Sequence, residues 1–274
     1  MNADCAWNRF TRSGEAAIYD DCRGNVVVWP GQETALQKFV NQTYGGRRHK
    51  LVHTKSSHSE DALTWSCFDT LNCLTGALRT RALAHLWALA FDERPAPQGF
   101  LDGKILIGKK YGQRGEETEV DASVEGAGVL VFIEAKLYSP MSMADADNGK
   151  PHNQIVRKLR VGIKEAKRSG IEFFFILLDI APKKMLRALR PRVKLAEACR
   201  KGGRGFASKW QTAYWFSRYK GRGGSVTPLR KELKDIPGAD AANVARNMGW
   251  LTWADVYKVV LRATITSHQL AASP

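Results

Sequence analysis

The stretch with most chemical potential is Thr118-Glu-Val-Asp-Ala-Ser-Val-Glu-Gly-Ala-Gly-Val-Leu-Val-Phe-Ile-Glu-Ala-Lys136. Two strand-like runs flank Ala127-Gly128, which predicts a hairpin with a two-residue loop. Gly126 then faces Val129, and continuing that register sets Asp121 opposite Glu134 and Glu119 opposite Lys136. Strand alternation places Glu119, Asp121, Glu134 and Lys136 on one face and Val120, Ala122, Val131, Ile133 and Ala135 on the other. Two acids opposed on a half-buried sheet repel unless a cation lies between them. A divalent metal resolves that conflict. Magnesium, with manganese as a substitute, takes oxygen ligands and is commonly held by one or two carboxylates plus a substrate phosphate. Lys136 is placed to orient or help deprotonate a metal-bound water, or to stabilise charge developing on the phosphate. Such a set of groups is suited to phosphodiester hydrolysis.

Elements on either side must hold that hairpin. Ser59 is a good N-cap, Glu60 and Asp61 suit the positive end of a helix, and Leu63, Cys67, Leu71, Leu74 and Leu78 recur at helical spacing. That helix continues or restarts after Gly76 through Phe91. Strands are expected at Lys104 to Lys109, Thr118 to Val124 and Val129 to Lys136, then a helix from Asn153 to Ser169 ending at Gly170. A buried strand from Ile171 to Ile180 follows, and Pro182 opens a further basic helical stretch. Residues 240 to 264 read as a pair of helices, and Asn25 to Trp29 as one strand-like run. The segment from Gly45 to Lys50 reads as an exposed basic loop. This order predicts an α/β fold, a mixed β-sheet flanked by helices. The expected organisation is a 1–58 N-terminal extension, a 59–200 core, and a basic aromatic loop with C-terminal helices over 201–274.

Asp121 followed across a hairpin by Glu134-Ala135-Lys136 resembles the PD-(D/E)XK motif of the restriction-endonuclease-like nucleases, although Val120 stands where the motif has proline. The resemblance covers roughly residues 59 to 180. It implies a restriction-endonuclease-like core and a metal-dependent endonuclease that cleaves DNA by a metal-activated water. By the same resemblance Asp121 and Glu134 bind Mg2+ (or Mn2+) and Lys136 serves the attacking water. Glu60 resembles the upstream helical acid of many members, a further metal ligand, and Gln154 the glutamine that some branches place beside the site. The ordinary readings of these two are dipole complementarity and an exposed helix residue.

With 42 Lys and Arg against 27 Asp and Glu, the formal net charge is +15, which favours a polyanionic partner, DNA first. Arg157, Lys158, Arg160 and Lys164 crowd the helix after the hairpin and are candidates to track a phosphate backbone. Lys167 and Arg168 extend that cluster. Arg218, Lys220 and Arg222 flank Tyr219 in a second candidate, a Gly-rich loop that could clamp a strand or stack a base. No apolar run is long enough to span a membrane, and Met1 to Phe10 carries no secretory signal, so a cytoplasmic location is expected. Five cysteines without C-x-x-C spacing read as reduced, structural thiols. Nucleotide-hydrolysing, dinucleotide-binding, serine-hydrolase and zincin motifs do not occur. Any energy-driven step, or added specificity, would therefore come from a partner protein. A duplex break requires either a homodimer or two successive nicks. Two other readings stand beside the nuclease: a non-catalytic nucleic-acid-binding protein that uses the hairpin acids structurally, and a basic scaffold for an acidic protein.

Overall fold

The computed structural model describes residues 7–10, 16–43, 49–137, 139, 141–142, 153–180, 206–221 and 225–271. A short antiparallel pair, β1 (Trp7–Phe10) and β2 (Ala17–Tyr19), precedes helices α1 (Glu33–Val40) and α2 (His49–His53). Next come α3 (Glu60–Cys73), α4 (Gly76–Ala90), α5 (Gln98–Leu101), β3 (Lys104–Tyr111), β4 (Thr118–Gly126) and β5 (Val129–Ala135). Helix α6 (Gln154–Ser169) and strand β6 (Glu172–Asp179) follow, then α7 (Phe206–Tyr219), α8 (Thr227–Glu232), α9 (Gly238–Arg246), β7 (Met248–Thr252) and α10 (Trp253–Ala271). The main sheet has five strands in the order β3-β4-β5-β6-β7. Its first three strands are antiparallel and its last three parallel, so the chain is an α/β protein with a mixed sheet flanked by helices.

The reasons are local and legible. Ser59 caps α3 by accepting from the Ala62 N–H at 3.0 Å, and Asn153 caps α6 by accepting from the Val156 N–H at 3.2 Å. Gly170 ends α6 in the left-handed region, at φ 64°. Parallel pairing of β5 with β6 demands a crossover, and α6 lies within it. Each sheet face carries its own core. Helices α6 to α9 cover Leu130, Phe132, Phe173, Phe175 and Leu177; α3, α4, α5 and α10 cover Val131, Ile133, Phe174, Ile176 and Leu178. Among the described residues, no helix is long and apolar enough to cross a membrane. Cys22, Cys67 and Cys73 are free thiols, and burial pushes Cys67 up to about 12.

Three expectations need correction. Residues 240 to 264 are not two helices alone, because β7 lies between α9 and α10 and enters the sheet beside β6. Its five residues are buried throughout and abut a helix, so no alternation marks them. The run from Asn25 to Trp29 is not a strand: Cys22–Asn25 is a 3-10 turn, and the Val27 N–H donates to Ser66 Oγ of α3 at 2.9 Å. Val120 does not share a face with Ala122, since it packs with Leu130 and Phe132 while Ala122 packs with Val131 and Ile133. The cause lies across the ladder. Gly108, at φ 66°, sits between the rungs Ile107↔Ala122 and Lys109↔Val120 and reverses the alternation without inserting a residue. A Cβ on Gly108 would meet the Phe39 ring at 3.0 Å and Gln42 Oε1 at 2.9 Å. Gly108→Ala is expected to cost roughly 2 kcal/mol of stability from the left-handed backbone alone. A urea midpoint equal to that of the wild type would show that the kink is not required. The basic stretch expected after Pro182 lies outside the described residues.

One buried acid stands apart from the charge clusters described below. Asp69 of α3 is 3% exposed, and its Oδ2 has no hydrogen-bond partner among the described residues. Burial pushes its carboxyl up to about 6. Between about pH 4 and 6 the folded chain therefore holds a proton that the unfolded chain has released, and stability falls as pH rises through that window. The loss amounts to about 3 kcal/mol at most. Asp69→Asn is expected to remove this slope and to stabilise the chain at neutral pH. Denaturation midpoints measured across the window check it, and a slope that persists in the variant would assign it to other groups.

Candidate active site

The predicted hairpin register holds from Gly126↔Val129 to Ala122↔Ile133. Beyond that rung the strands part, and the Ala135 N–H donates to Asp121 Oδ2 at 2.8 Å instead of to a β4 carbonyl. A side-chain carboxylate thus stands in for the missing ladder acceptor. The other edge of β5 stays paired: the Lys136 N–H donates to the Leu178 carbonyl at 2.7 Å, and Trp253 Nε1–H donates to the Lys136 carbonyl at 3.0 Å. The backbone that presents Glu134 and Lys136 is held from two sides. Their ends open where β5 and β6 finish, which is where ligands meet parallel strands in α/β sheets.

Asp121, Glu134 and Lys136 are brought together, and a fourth group joins them. Glu134 is 0% exposed. Its Oε1 lies 3.1 Å from Lys136 Nζ, outside hydrogen-bond alignment, and its Oε2 accepts from Lys158 Nζ. Lys158 Nζ also lies 3.9 Å from Asp121 Oδ2, so one ammonium faces both acids. Burial works against ionisation of Asp121, yet Lys158, Lys136, the Ala135 N–H and Lys50 outweigh it and hold the carboxyl below the usual range. Burial holds Lys158 below the usual lysine range, opposed by Asp121, Glu119 and Glu60. Lys158 was expected on the outer helix surface. It is 3% exposed because α6 turns it inward on the stripe of Gln154 and Val161, one helical turn from each.

Glu60 binds the chain that follows β5. Its Oε1 accepts from the Leu137 N–H at 2.7 Å, the Ser139 N–H at 3.2 Å and the Ser139 hydroxyl at 2.6 Å, while Oε2 lies 3.6 Å from Lys136 Nζ. It ties the chain after β5 to the start of α3 and steadies Lys136. Glu60→Ala is expected to cost about 1–3 kcal/mol through the donors left without an acceptor. Glu60→Gln should recover most of that, because an amide oxygen still accepts. Equal midpoints for wild type and Glu60→Ala would remove this role. Glu119 does not pair with Lys136. It meets Lys50 Nζ at 2.6 Å, as does Asp61, and Lys50 sits 4.6 Å from the centre of the Phe39 ring. Lys50 is therefore a buried cation beside the site and not part of an exposed basic loop.

A cavity of about 660 Å³ opens over these groups, lined by Lys50, Asp61, Glu119, Asp121, Gln154, Arg157, Lys158 and Arg160, among others. Gln154 Oε1 accepts from the Ser142 N–H at 3.3 Å, and Arg157 donates to Ser142 Oγ at 2.9 Å. The remaining cations of α6 are engaged by acids. Arg160 and Lys164 share Glu116 and Asp235, Lys167 meets Asp240, and Arg168 meets Glu165. The loop expected around Tyr219 is also different. Tyr219 is buried and accepts from Asn153 Nδ2 at 2.7 Å, Lys220 donates to the Met248 carbonyl, and Arg218 lies 6.0 Å from the Trp215 ring. Arg222 lies outside the described residues.

The donors present fit a divalent cation. Glu134 Oε1 is a buried carboxylate oxygen with no hydrogen bond among the described residues. Around it, the three carboxylates of Glu60, Asp121 and Glu134 face the two ammonium groups of Lys136 and Lys158, which leaves one formal negative charge. Among the described residues, no group of three or more His, Cys, Asp or Glu side chains forms a metal cage. A cation here would be held by Asp121 and Glu134 and would complete its shell with water or phosphate oxygens, as magnesium commonly does. No protein-family model, curated protein or solved structure matches the chain.

Proposed function

We propose that this chain is a magnesium-dependent endonuclease with a restriction-endonuclease-like core, hydrolysing phosphodiester bonds in DNA. The observation that carries the reading is the meeting of Asp121, Glu134 and Lys136 where β4 and β5 part, beneath a cavity edged by Arg157 and Arg160. Asp121 and Glu134 would hold the cation. When bound, it supplies Lewis acidity toward the phosphodiester and makes nearby water a better nucleophile. Lys136 offers N–H donors from a fixed backbone, to orient the attacking water and to stabilise charge on the phosphate oxygens. Arg157 reaches the cavity from the first turn of α6, where it can contact a flanking phosphate. The surplus of basic residues supplies affinity independent of sequence, which falls steeply with salt.

A second reading, a nucleic-acid-binding protein without turnover, draws on one observation: Lys158 already offsets both acids. The two readings part in one experiment. Supercoiled plasmid is incubated with the protein in magnesium, in manganese and in chelator, and DNA binding is measured in parallel. Nicking or linearisation that needs the metal supports the nuclease. Salt-sensitive binding with intact plasmid under all conditions overturns it in favour of the second reading.

A further inference from the structure

Glu134 does not line the cavity, and Lys158, which does, contacts it. The cavity wall includes Asp121 and Lys158, and Glu134 is fully buried behind them. Lys158 Nζ contacts Glu134 Oε2 and lies 3.9 Å from Asp121 Oδ2, so it fills the space that a cation shared by these acids would need. Its backbone is not free to yield. Asn153 caps α6 and also donates to the Tyr219 hydroxyl, while Ile155, Val156 and Leu159 are buried in the core. Its side chain is a different matter, because a lysine has four rotatable carbons and the cavity beside it is large enough to receive the ammonium.

We propose that Lys158 is a built-in counter-ion that a divalent cation must displace from Asp121 and Glu134, so that metal and ammonium occupy the site in turn. The inference rests on the metal-site reading above and adds a residue that controls it. In the metal-free chain the ammonium keeps the buried Glu134 and the partly exposed Asp121 from repelling each other. In the loaded chain it moves into the cavity beside Gln154 and Arg157, where it faces the space a substrate phosphate would enter. The exchange lowers apparent metal affinity, since every ion bound must break the Lys158–Glu134 contact.

The full chain and Lys158→Met are titrated with Mn2+ by calorimetry, with Lys136→Met as a second variant whose ammonium does not bridge both acids. Lys158→Met is expected to bind Mn2+ at least about tenfold more tightly than the wild type, and more tightly than Lys136→Met. Wild-type binding with equal or weaker affinity in a folded Lys158→Met would overturn the exchange and leave the metal site standing. Absence of Mn2+ binding in every form would overturn both. Should Lys158→Met not fold, the wild type alone decides. Its Lys158 is expected to become several-fold more reactive to acetylation, read by mass spectrometry, when Mn2+ is added. Unchanged labelling at saturating Mn2+ overturns the proposal.

Discussion

Glu134→Gln is expected to lower the stability of the metal-free chain by about 3–5 kcal/mol, the usual result of deleting one partner of a buried ion pair. The substitution keeps the size and shape of the side chain, so neither a cavity nor a clash enters the comparison. It removes the one negative charge that contacts both Lys136 and Lys158, each less than a tenth exposed. An amide also turns a donor toward one of the two ammonium groups. Asp121 is then the acid nearest Lys158, and at 3.9 Å it is too far to compensate. Urea denaturation in chelator reads the effect as a lower midpoint at an unchanged slope. A loss below about 1 kcal/mol would mean that Glu134 is not the hub of this charge network.

Lys136→Met is expected to lower the rate of DNA cleavage at saturating DNA by roughly 10²–10⁴, the range for a lost proton-transfer group. Its effect on folding should be far smaller than that of Glu134→Gln. Lys158 still meets Glu134, and Glu60 keeps its three donors from the chain after β5. The main-chain bonds at residue 136, to Leu178 and Trp253, do not involve the side chain. Rate and binding must therefore separate. A variant that cleaves at the wild-type rate but binds DNA more weakly would make Lys136 a phosphate contact and leave the nucleophile without its proposed partner.

How much of this was legible depended on whether a signal was local. The hairpin was, because two strand-forming runs around Ala127-Gly128 fix the register as far as Ala122↔Ile133, one rung short of Asp121 and Glu134. So were α3 and α6, whose caps Ser59 and Asn153 act through their own first turns. The faces of β4 were misassigned, since alternation reverses at Gly108 on the neighbouring strand and nothing within β4 records it. Lys50 carried no signal either. Its partners are Asp61 of the next helix and Glu119 of a strand far along the chain, and no periodic pattern links the three. Lys158 had a weak one that composition obscured: it stands four residues after Gln154, on the same helical face, amid a run of cations that face outward and meet Glu116, Glu165, Asp235 and Asp240. Strand β7 escaped because five buried residues joined to a helix show neither a period nor a turn.

Whether this site cuts DNA is decided with wild type and Asp121→Asn purified in parallel and incubated with supercoiled plasmid and magnesium. Nicked or linear plasmid is expected from the wild type, lost on adding chelator, with a rate lower by roughly 10²–10³ from a folded Asp121→Asn, comparable to removal of a group that stabilises the transition state. Equal cleavage by the two proteins would place the activity elsewhere, and intact plasmid from both would mean that this site does not cut DNA.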